Sequence, residues 1–209
     1  MIDETRLNQI MDRLKEKYPD RRTLLRYINP FELAMSVALS AQTTDAAVNN
    51  VTPVLFSRWP TPSALAGAVQ EEVEEVIHSL GFFRQKARNL IAAARLLTEE
   101  FGGDVPQSME DLTSLPGIGR KSANVIRGHI WNLPGIIVDT HFGRVCRRLG
   151  LTEQNDPYKV EMELSRLIPE DRQHEFSMTV NFHGRRYCMS RKPNCHACFL
   201  RSICPYGIS

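Results

Sequence analysis

Four cysteines lie close together near the end of the chain, at Cys188, Cys195, Cys198 and Cys204. Six, two and five residues separate them, and the chain has one further cysteine, Cys146. Thiolates grouped in this way hold a metal ion or an iron–sulfur cluster. Two disulfide bridges are the alternative, which a reducing compartment disfavours. The spacing predicts a metal centre without naming the metal.

A glycine-rich turn joins two predicted helices in SMEDLTSLPGIGRKSANVIRGHIW, residues 108–131. Pro116 sets the turn, while Gly117 and Gly119 allow positive φ and present bare backbone N–H groups. The helix that begins near Arg120 directs the positive end of its dipole to the same place, which suits a phosphate. The segment predicts a helix-hairpin-helix element that grips a sugar-phosphate backbone. An ordinary connection between two helices is the alternative.

Two side chains near this turn have types that can do chemistry on a sugar. Lys121 lies in the first turn of the second helix, and its amine could form a Schiff base with an aldehyde carbon. A phosphate contact is the alternative for this lysine. Asp139 follows the apolar run IIV at the predicted start of a helix. It could stabilise positive charge on the sugar and assist proton transfer, or it could simply cap the helix.

The elements that must position these residues are helices, and the predicted class is all-α. An amphipathic first helix is indicated by apolar residues at steps of three and four, namely Leu7, Ile10, Met11 and Leu14. Cap and stop residues predict further helices. They run from Asn29-Pro30 to about Ser40, over 71–80 before Gly81, over 84–101 before Gly102-Gly103, over about 139–150, and onward from Asp156-Pro157.

Composition and charge indicate where the protein is found and what kind of molecule it binds. The chain has 209 residues, of which 42% are hydrophobic and 24% charged, which is typical of a globular protein. It shows no apolar run of membrane-spanning length and no N-terminal signal segment, so a cytoplasmic protein is expected. The net charge is only +2, but residues 176–209 carry five basic and no acidic residues. This tail suits a polyanion such as nucleic acid, with a merely solvated basic tail as the alternative.

Taken together, the motifs resemble those of the endonuclease III family of helix-hairpin-helix DNA glycosylases. They are NPFELAMSVALSAQTTD at 29–45, LPGIGRKSANVI, VDTHFGRVCRRLGL, and HGRRYC with the six-two-five cysteine spacing. The resemblance covers almost the whole chain. It implies two helical domains with a DNA-binding cleft between them, into which the target nucleotide flips. A six-helix barrel domain with the hairpin would span 22–133, and a 4Fe–4S cluster domain would combine 1–21 with 134–209.

The resemblance also implies an activity and its residues. The protein would remove oxidised pyrimidines from damaged duplex DNA and cut the strand by β-elimination, as a monomer associated with the nucleoid. Lys121 would be the nucleophile, Asp139 the essential aspartate, and the four tail cysteines the ligands of a 4Fe–4S cluster. Gln42 would fill the hole left by the flipped base. Phe82 would be a second wedge, at a position where an aliphatic residue is commoner. The implied DNA contacts are Gln42, Phe82, Leu115, Gly117, Gly119, Arg120, His141, Arg144, Arg185, Arg191 and Lys192.

Three other functions are weighed against this one. Adenine-mispair glycosylases share the hairpin and cysteines but lack the lysine and usually carry a further C-terminal domain, whereas this sequence has Lys121 and ends five residues after Cys204. A non-catalytic DNA-binding module with a structural zinc would not need Lys121 and Asp139 together. A small electron carrier would have the two-two-three cysteine spacing of ferredoxins and no hairpin.

Overall fold

The computed structural model describes residues 3–20 and 22–208, and the regular structure within these ranges is helical throughout. None of the helices in these ranges is long and apolar enough to cross a membrane. The helices are α1 (Glu4–Lys17), α2 (Pro30–Leu39), α3 (Asp45–Arg58), α4 (Pro62–Ala66), α5 (Gln70–Ile77), α6 (Phe83–Glu100), α7 (Met109–Ser114), α8 (Arg120–Trp131), α9 (Thr140–Arg148), α10 (Pro157–Leu167), α11 (Glu170–Arg186) and α12 (Pro205–Ile208), with a 3₁₀ turn at Arg201–Ile203.

The chain forms two compact units, and each has its own apolar core. We call Thr23–Trp131, which holds α2 to α8, the hairpin unit. The second, which combines Met1–Arg22 with Asn132–Ser209 and holds α1 and α9 to α12, is the cysteine unit. The functions that the sequence assigns to these parts of the chain stay predictions.

The hairpin unit is built around α2. Every residue of this helix from Phe31 to Leu39 is buried, so the helix has no polar face and must lie inside the unit. Its start is the predicted one, because the Asn29 side chain accepts a hydrogen bond of 2.8 Å from the backbone N–H of Glu32 and Pro30 takes the first helical position.

The connection between α5 and α6 differs from the prediction. α5 ends at Ile77, three residues before the expected Leu80. Gly81 was expected to stop the helix, but the left-handed conformation is taken by the next residue, Phe82, with φ of 60°. α6 then runs to Glu100. After Phe101 come the predicted stop residues Gly102 and Gly103, both of which have positive φ.

In the cysteine unit, α1 buries the predicted apolar stripe in the core. The predicted caps Asp139 and Asp156 begin α9 and α10. α11 packs closely against α9 at Gly184, where an added Cβ would lie 3.0 Å from the Cβ of His141 and 3.1 Å from Cγ2 of Val145. A larger residue at position 184 would force these neighbours to shift, so the glycine allows α11 to pack closely against α9, the helix that follows Asp139.

Candidate functional site

The hairpin connects α7 to α8 in a tight turn. Leu115 is buried, and its carbonyl accepts a hydrogen bond of 3.0 Å from the N–H of Ile118. Gly117 adopts φ of 87°, and a Cβ there would lie 3.3 Å from the side chain of Asn89 on α6. The positive φ therefore favours glycine at position 117, and a Cβ there would fit only if the Asn89 side chain shifted.

The expectation of a positive φ at Gly119 is wrong, since the φ of this residue is not positive. Among the described residues, no atom lies within 4 Å of a Cβ built at this position. Neither backbone conformation nor packing within the unit therefore requires glycine here. Because Gly119 has no side chain, the backbone at the start of α8 is exposed, and an anion such as a phosphate can approach it closely.

Lys121 is exposed in the first turn of α8, beside the exposed Arg120. Other residues of this helix are buried, namely Ala123, Asn124 and Ile126. α8 is therefore anchored in the core and presents the amine of Lys121 to solvent next to the hairpin.

Asp139 is half-buried in the cysteine unit, and both of its carboxylate oxygens are held. Oδ1 accepts a hydrogen bond of 2.7 Å from the N–H of Phe142, so the capping role is present. Oδ2 accepts a hydrogen bond from Nδ2 of Asn181 on α11. The segment before Asp139 is held to α11 as well, since the Ile137 N–H donates to Ser177 Oγ at 3.0 Å. A simple cap needs one such oxygen, whereas two donors fix the orientation of the carboxylate.

The four tail cysteines line one pocket of the cysteine unit, together with Arg148 and Arg201. All four are unpaired and half-buried. Burial raises the pKa of the Cys198 and Cys204 thiols, and the neighbouring cysteines act in the same direction. Four thiolates would therefore need a compensating cation between them. Within residues 3–20 and 22–208, no three His, Cys, Asp or Glu side chains are arranged to hold one metal ion. The donor set, the shared pocket and the two arginines fit an iron–sulfur cluster.

Arginines of α9 support the loop between the first two cysteines, residues 188–195. Arg144 donates through Nε and Nη2 to the Cys188 carbonyl, at 3.1 and 3.0 Å, and through Nη2 to the Gly184 carbonyl at 2.9 Å. Arg148 donates to the Met189 carbonyl at 2.7 Å and to Cys188 Sγ at 3.3 Å. Arg144 therefore acts inside the unit as a brace, and a DNA contact by this residue stays a prediction.

The remaining predicted contacts of this unit lie around that loop. Arg191 and Lys192 are exposed on it, and Arg185 is exposed at the end of α11. His141 is half-buried, with Nδ1 at 3.1 Å from Nη2 of Arg144. His141 and Arg144 therefore make contacts inside the unit, whereas Arg185, Arg191 and Lys192 lie at its surface.

Two exposed residues of the hairpin unit have unusual backbone conformations. Gln42 has φ of 54° and Phe82 has φ of 60°. Phe82 is also 69% exposed, which excludes a core phenylalanine. A bulky residue with positive φ costs of order 1–3 kcal/mol and persists where the surrounding structure holds it. Both side chains are therefore exposed at some cost in stability, as expected of side chains that contact a ligand.

Three supporting residues escaped the sequence analysis. Asn181 holds Asp139, Arg148 holds the loop after Cys188, and Lys86 donates to Thr43 beside Gln42. Each contact joins residues at least 41 positions apart, so periodicity and caps carry no signal for it.

Comparison with known proteins agrees with these features. Residues 35–170 match the family of HhH-GPD superfamily base excision DNA repair proteins. Endonuclease III of Synechocystis sp. is 47% identical over 96% of this chain and 92% of the relative. Endonuclease III of Escherichia coli K12 is 37% identical over 95% of this chain and 94% of the relative. The solved structure of a trapped endonuclease III–DNA covalent intermediate matches with a TM-score of 0.92 and 37% identity, over 100% of this chain and 98% of that one.

The helical fold and the glycine hairpin thus define a helix-hairpin-helix protein of base excision DNA repair. The match extends over nearly the full length of the relatives, with high identity. The chain belongs to the endonuclease III family. The predicted fold class and family are confirmed.

Proposed function

We propose that this protein excises oxidised pyrimidines from duplex DNA and cuts the strand 3′ to the resulting abasic site, using Lys121 as the nucleophile. One observation carries the proposal: in a chain of the endonuclease III family, an exposed lysine amine lies in the first turn of the helix that follows the glycine hairpin. The hairpin would bind phosphates through backbone N–H groups, which positions the strand without reading its sequence.

The proposed reaction takes place between the Lys121 amine and a carbon of the sugar. Nζ of Lys121 attacks C1′ of the damaged nucleotide, and the bond from C1′ to the base breaks as the base leaves with its electron pair and takes up a proton. The bond between C1′ and the ring oxygen O4′ then breaks, O4′ takes up a proton that Nζ gives up, and the opened sugar is joined to Nζ by a Schiff base at C1′. Loss of a proton from C2′ then expels the 3′ phosphate, which is the β-elimination. Water finally hydrolyses the Schiff base and returns the lysine.

Asp139 would supply the negative charge for these steps. Positive charge builds on the sugar as the base leaves, and a fixed carboxylate stabilises it more than a mobile one because no reorganisation is needed. The hydrogen bonds from Phe142 and Asn181 support this role, since they orient the carboxylate before the reaction. The same group can assist the proton transfers at the sugar.

Backbone conformation gives independent support for three of the DNA contacts. Among the described residues, four residues other than glycine have positive φ, namely Gln42, Phe82, Asn132 and Lys192. Three of these four are predicted to touch DNA. Strained conformations of this kind concentrate at binding sites. In the proposal, Gln42 fills the space of the flipped base, Phe82 stacks between bases, and Lys192 meets a phosphate.

A duplex with one thymine glycol tests the activity directly. The protein is expected to release the base and nick the strand at that position, because a damaged base is less costly to extrude than an intact one. Incision is measured on denaturing gels, with and without hot alkali, and the matched undamaged duplex is the control. A duplex with adenine opposite 8-oxoguanine is included as well. Cleavage of that duplex alone would replace the proposal with adenine-mispair repair.

We further infer that the four tail cysteines hold a 4Fe–4S cluster. When bound, the cluster would supply a rigid centre to which the tail is attached. The loop of residues 188–195 would then be fixed at both ends by covalent bonds and braced by Arg144 and Arg148. Its exposed Arg191 and Lys192 could meet phosphates with little loss of conformational freedom. An enzyme that acts on duplex DNA works at the chromosome, so a nucleoid location is part of the proposal.

Cys198→Ser is expected to remove the cluster and loosen the tail. Purified wild-type protein should be brown, with absorbance near about 400 nm and about four irons per chain. The variant should be pale, with iron lowered at least severalfold, since one thiolate ligand is lost. Cys146→Ala is the matched control, because Cys146 is buried in the core and does not line the cysteine pocket. Equal iron in the Cys198→Ser variant and the wild type, or zinc in place of iron, would contradict the assignment.

A further inference from the structure

Two loops of the hairpin unit carry the residues that have positive φ and are predicted to probe DNA. We call residues 40–44, between α2 and α3, the Gln42 loop, and residues 78–82, between α5 and α6, the Phe82 loop. Each loop exposes its probing side chain. If Gln42 fills a hole in the base stack and Phe82 wedges beside it, both must reach the helix at a fixed spacing. Contacts within the hairpin unit must therefore set that spacing.

Lys86 makes contacts with both loops. Its backbone N–H donates to the carbonyl of Phe82 at 3.0 Å, which forms the first turn of α6. Its Nζ donates to Oγ1 of Thr43, next to Gln42. The Thr43 hydroxyl in turn donates to the carbonyl of Ala41 at 3.2 Å. The chain of hydrogen bonds from Lys86 thus ends on the residues on both sides of Gln42.

The burial of Lys86 indicates that this contact costs stability. Only 7% of its surface is exposed, although lysine is among the residues least often buried. Burial lowers the pKa of Lys86, which means that its charged form is less stable inside the protein than in water. A methionine would fill similar space without a charge. Because the buried ammonium group of Lys86 does not stabilise the fold, we expect it to serve the function of the protein.

α6 also supports the hairpin. Asn89, close to one turn after Lys86, lies 3.3 Å from the position of a Cβ on Gly117. Lys86 and Asn89 lie three residues apart on α6 and so share one face of the helix. This face contacts both loops and the glycine turn, all of which are predicted to touch DNA.

We propose that Lys86 is a positioning residue that holds the Gln42 loop and the Phe82 loop at the spacing needed to replace a flipped base. This role rests on the proposed function. Lys86 would act before the chemistry, on extrusion of the base, and it would not touch the reacting atoms. Loss of Lys86 should therefore slow the reaction most when the damaged base is well stacked, and least when no base has to leave the double helix.

Lys86→Met and Thr43→Val test the role with two substrates, measured at saturating enzyme. Each variant should release thymine glycol from a fully paired duplex about tenfold more slowly than wild type. Each should cut a preformed abasic site within about threefold of the wild-type rate, since no base remains to be extruded. Placing the thymine glycol opposite a mismatched base should reduce the deficit. The double variant should be no slower than the slower single variant, because both changes break one contact.

Controls separate this role from a general loss of structure. Arg95→Met is the matched control, since Arg95 also lies on α6 and donates to the carbonyl of Ala66, the last residue of α4, at 3.1 Å, and this residue belongs to neither probing loop. It should keep the wild-type rates on both substrates. Thr43→Ser keeps the hydroxyl and should restore most of the excision rate. The midpoint of thermal unfolding of Lys86→Met should equal or exceed that of wild type, because a buried charge is removed.

The role of Lys86 is overturned if Lys86→Met slows both substrates equally, if Thr43→Val leaves excision unchanged, or if Arg95→Met causes the same loss. It is also overturned if the deficit does not depend on how well the base is stacked. Failure of the proposed function has a different signature: the wild-type protein would then neither excise thymine glycol nor cut the abasic site.

Discussion

Replacing Lys121 with alanine is expected to slow strand cleavage at an abasic site by at least about 10³-fold, because the nucleophile that forms the Schiff base is lost. Release of a damaged base should fall to a similar extent. The measurement is single-turnover cleavage of a duplex with one abasic site, at enzyme concentrations well above the dissociation constant. Retention of the wild-type rate would mean that another group attacks the sugar.

The fold should not change in this variant. Lys121 is exposed in the first turn of α8, and alanine favours a helix at least as well as lysine, so the free energy of unfolding should stay within about 0.5 kcal/mol of wild type. Arg120→Ala is the matched control, since it removes a cation from the adjacent position of the same turn. This control should weaken DNA binding by removing a phosphate contact and yet keep cleavage at saturating enzyme.

The second large effect is expected at Asp139. Asp139→Asn should lower the single-turnover rate of base release by about 10²-fold or more, because the charge that stabilises the sugar is lost. DNA affinity should stay within about threefold. Asparagine caps helices as well as aspartate does, so its Oδ1 can still accept the hydrogen bond from Phe142. The Asn181 amide can rotate to present its oxygen to the new side chain.

Two further variants separate the charge of Asp139 from its capping role. Asp139→Ala should lower both the rate and the free energy of unfolding, the latter by about 1 kcal/mol, since the cap is lost. Asp156→Asn is the matched control, because Asp156 caps α10 in the same unit with a hydrogen bond of 2.9 Å from the N–H of Lys159. It should leave the rate unchanged. If Asp139→Asn behaves like Asp156→Asn, then Asp139 is only a cap.

Local signals in the sequence were enough to predict much of the fold. Asn29, Asp139 and Asp156 each begin a helix in the structure because their side chains accept a hydrogen bond from the backbone N–H three residues later. Such contacts depend only on neighbouring residues. The hairpin was predictable for the same reason. Its turn requires a positive φ at position 117, and glycine adopts such a φ readily.

Other features depend on packing and left no local pattern. α5 ends three residues before the predicted Leu80, and Phe82 rather than Gly81 takes the left-handed conformation. Phenylalanine rarely adopts positive φ, so only the contacts around it could have shown this. Likewise, Asn181 holds Asp139 from 42 positions away, and Lys86 holds Thr43 from 43 positions away. These residues support the proposed site and were missed for the same physical reason.

The most direct test of the central claim is to locate the covalent bond between enzyme and DNA. The wild-type protein is incubated with a duplex that contains one abasic site, in the presence of borohydride, which reduces the Schiff base to a stable amine. The complex is digested and the modified peptide is identified by mass spectrometry. The proposal predicts that the deoxyribose adduct lies on Lys121. An adduct on another lysine or on the N-terminal amine, with Lys121 unmodified, would contradict it.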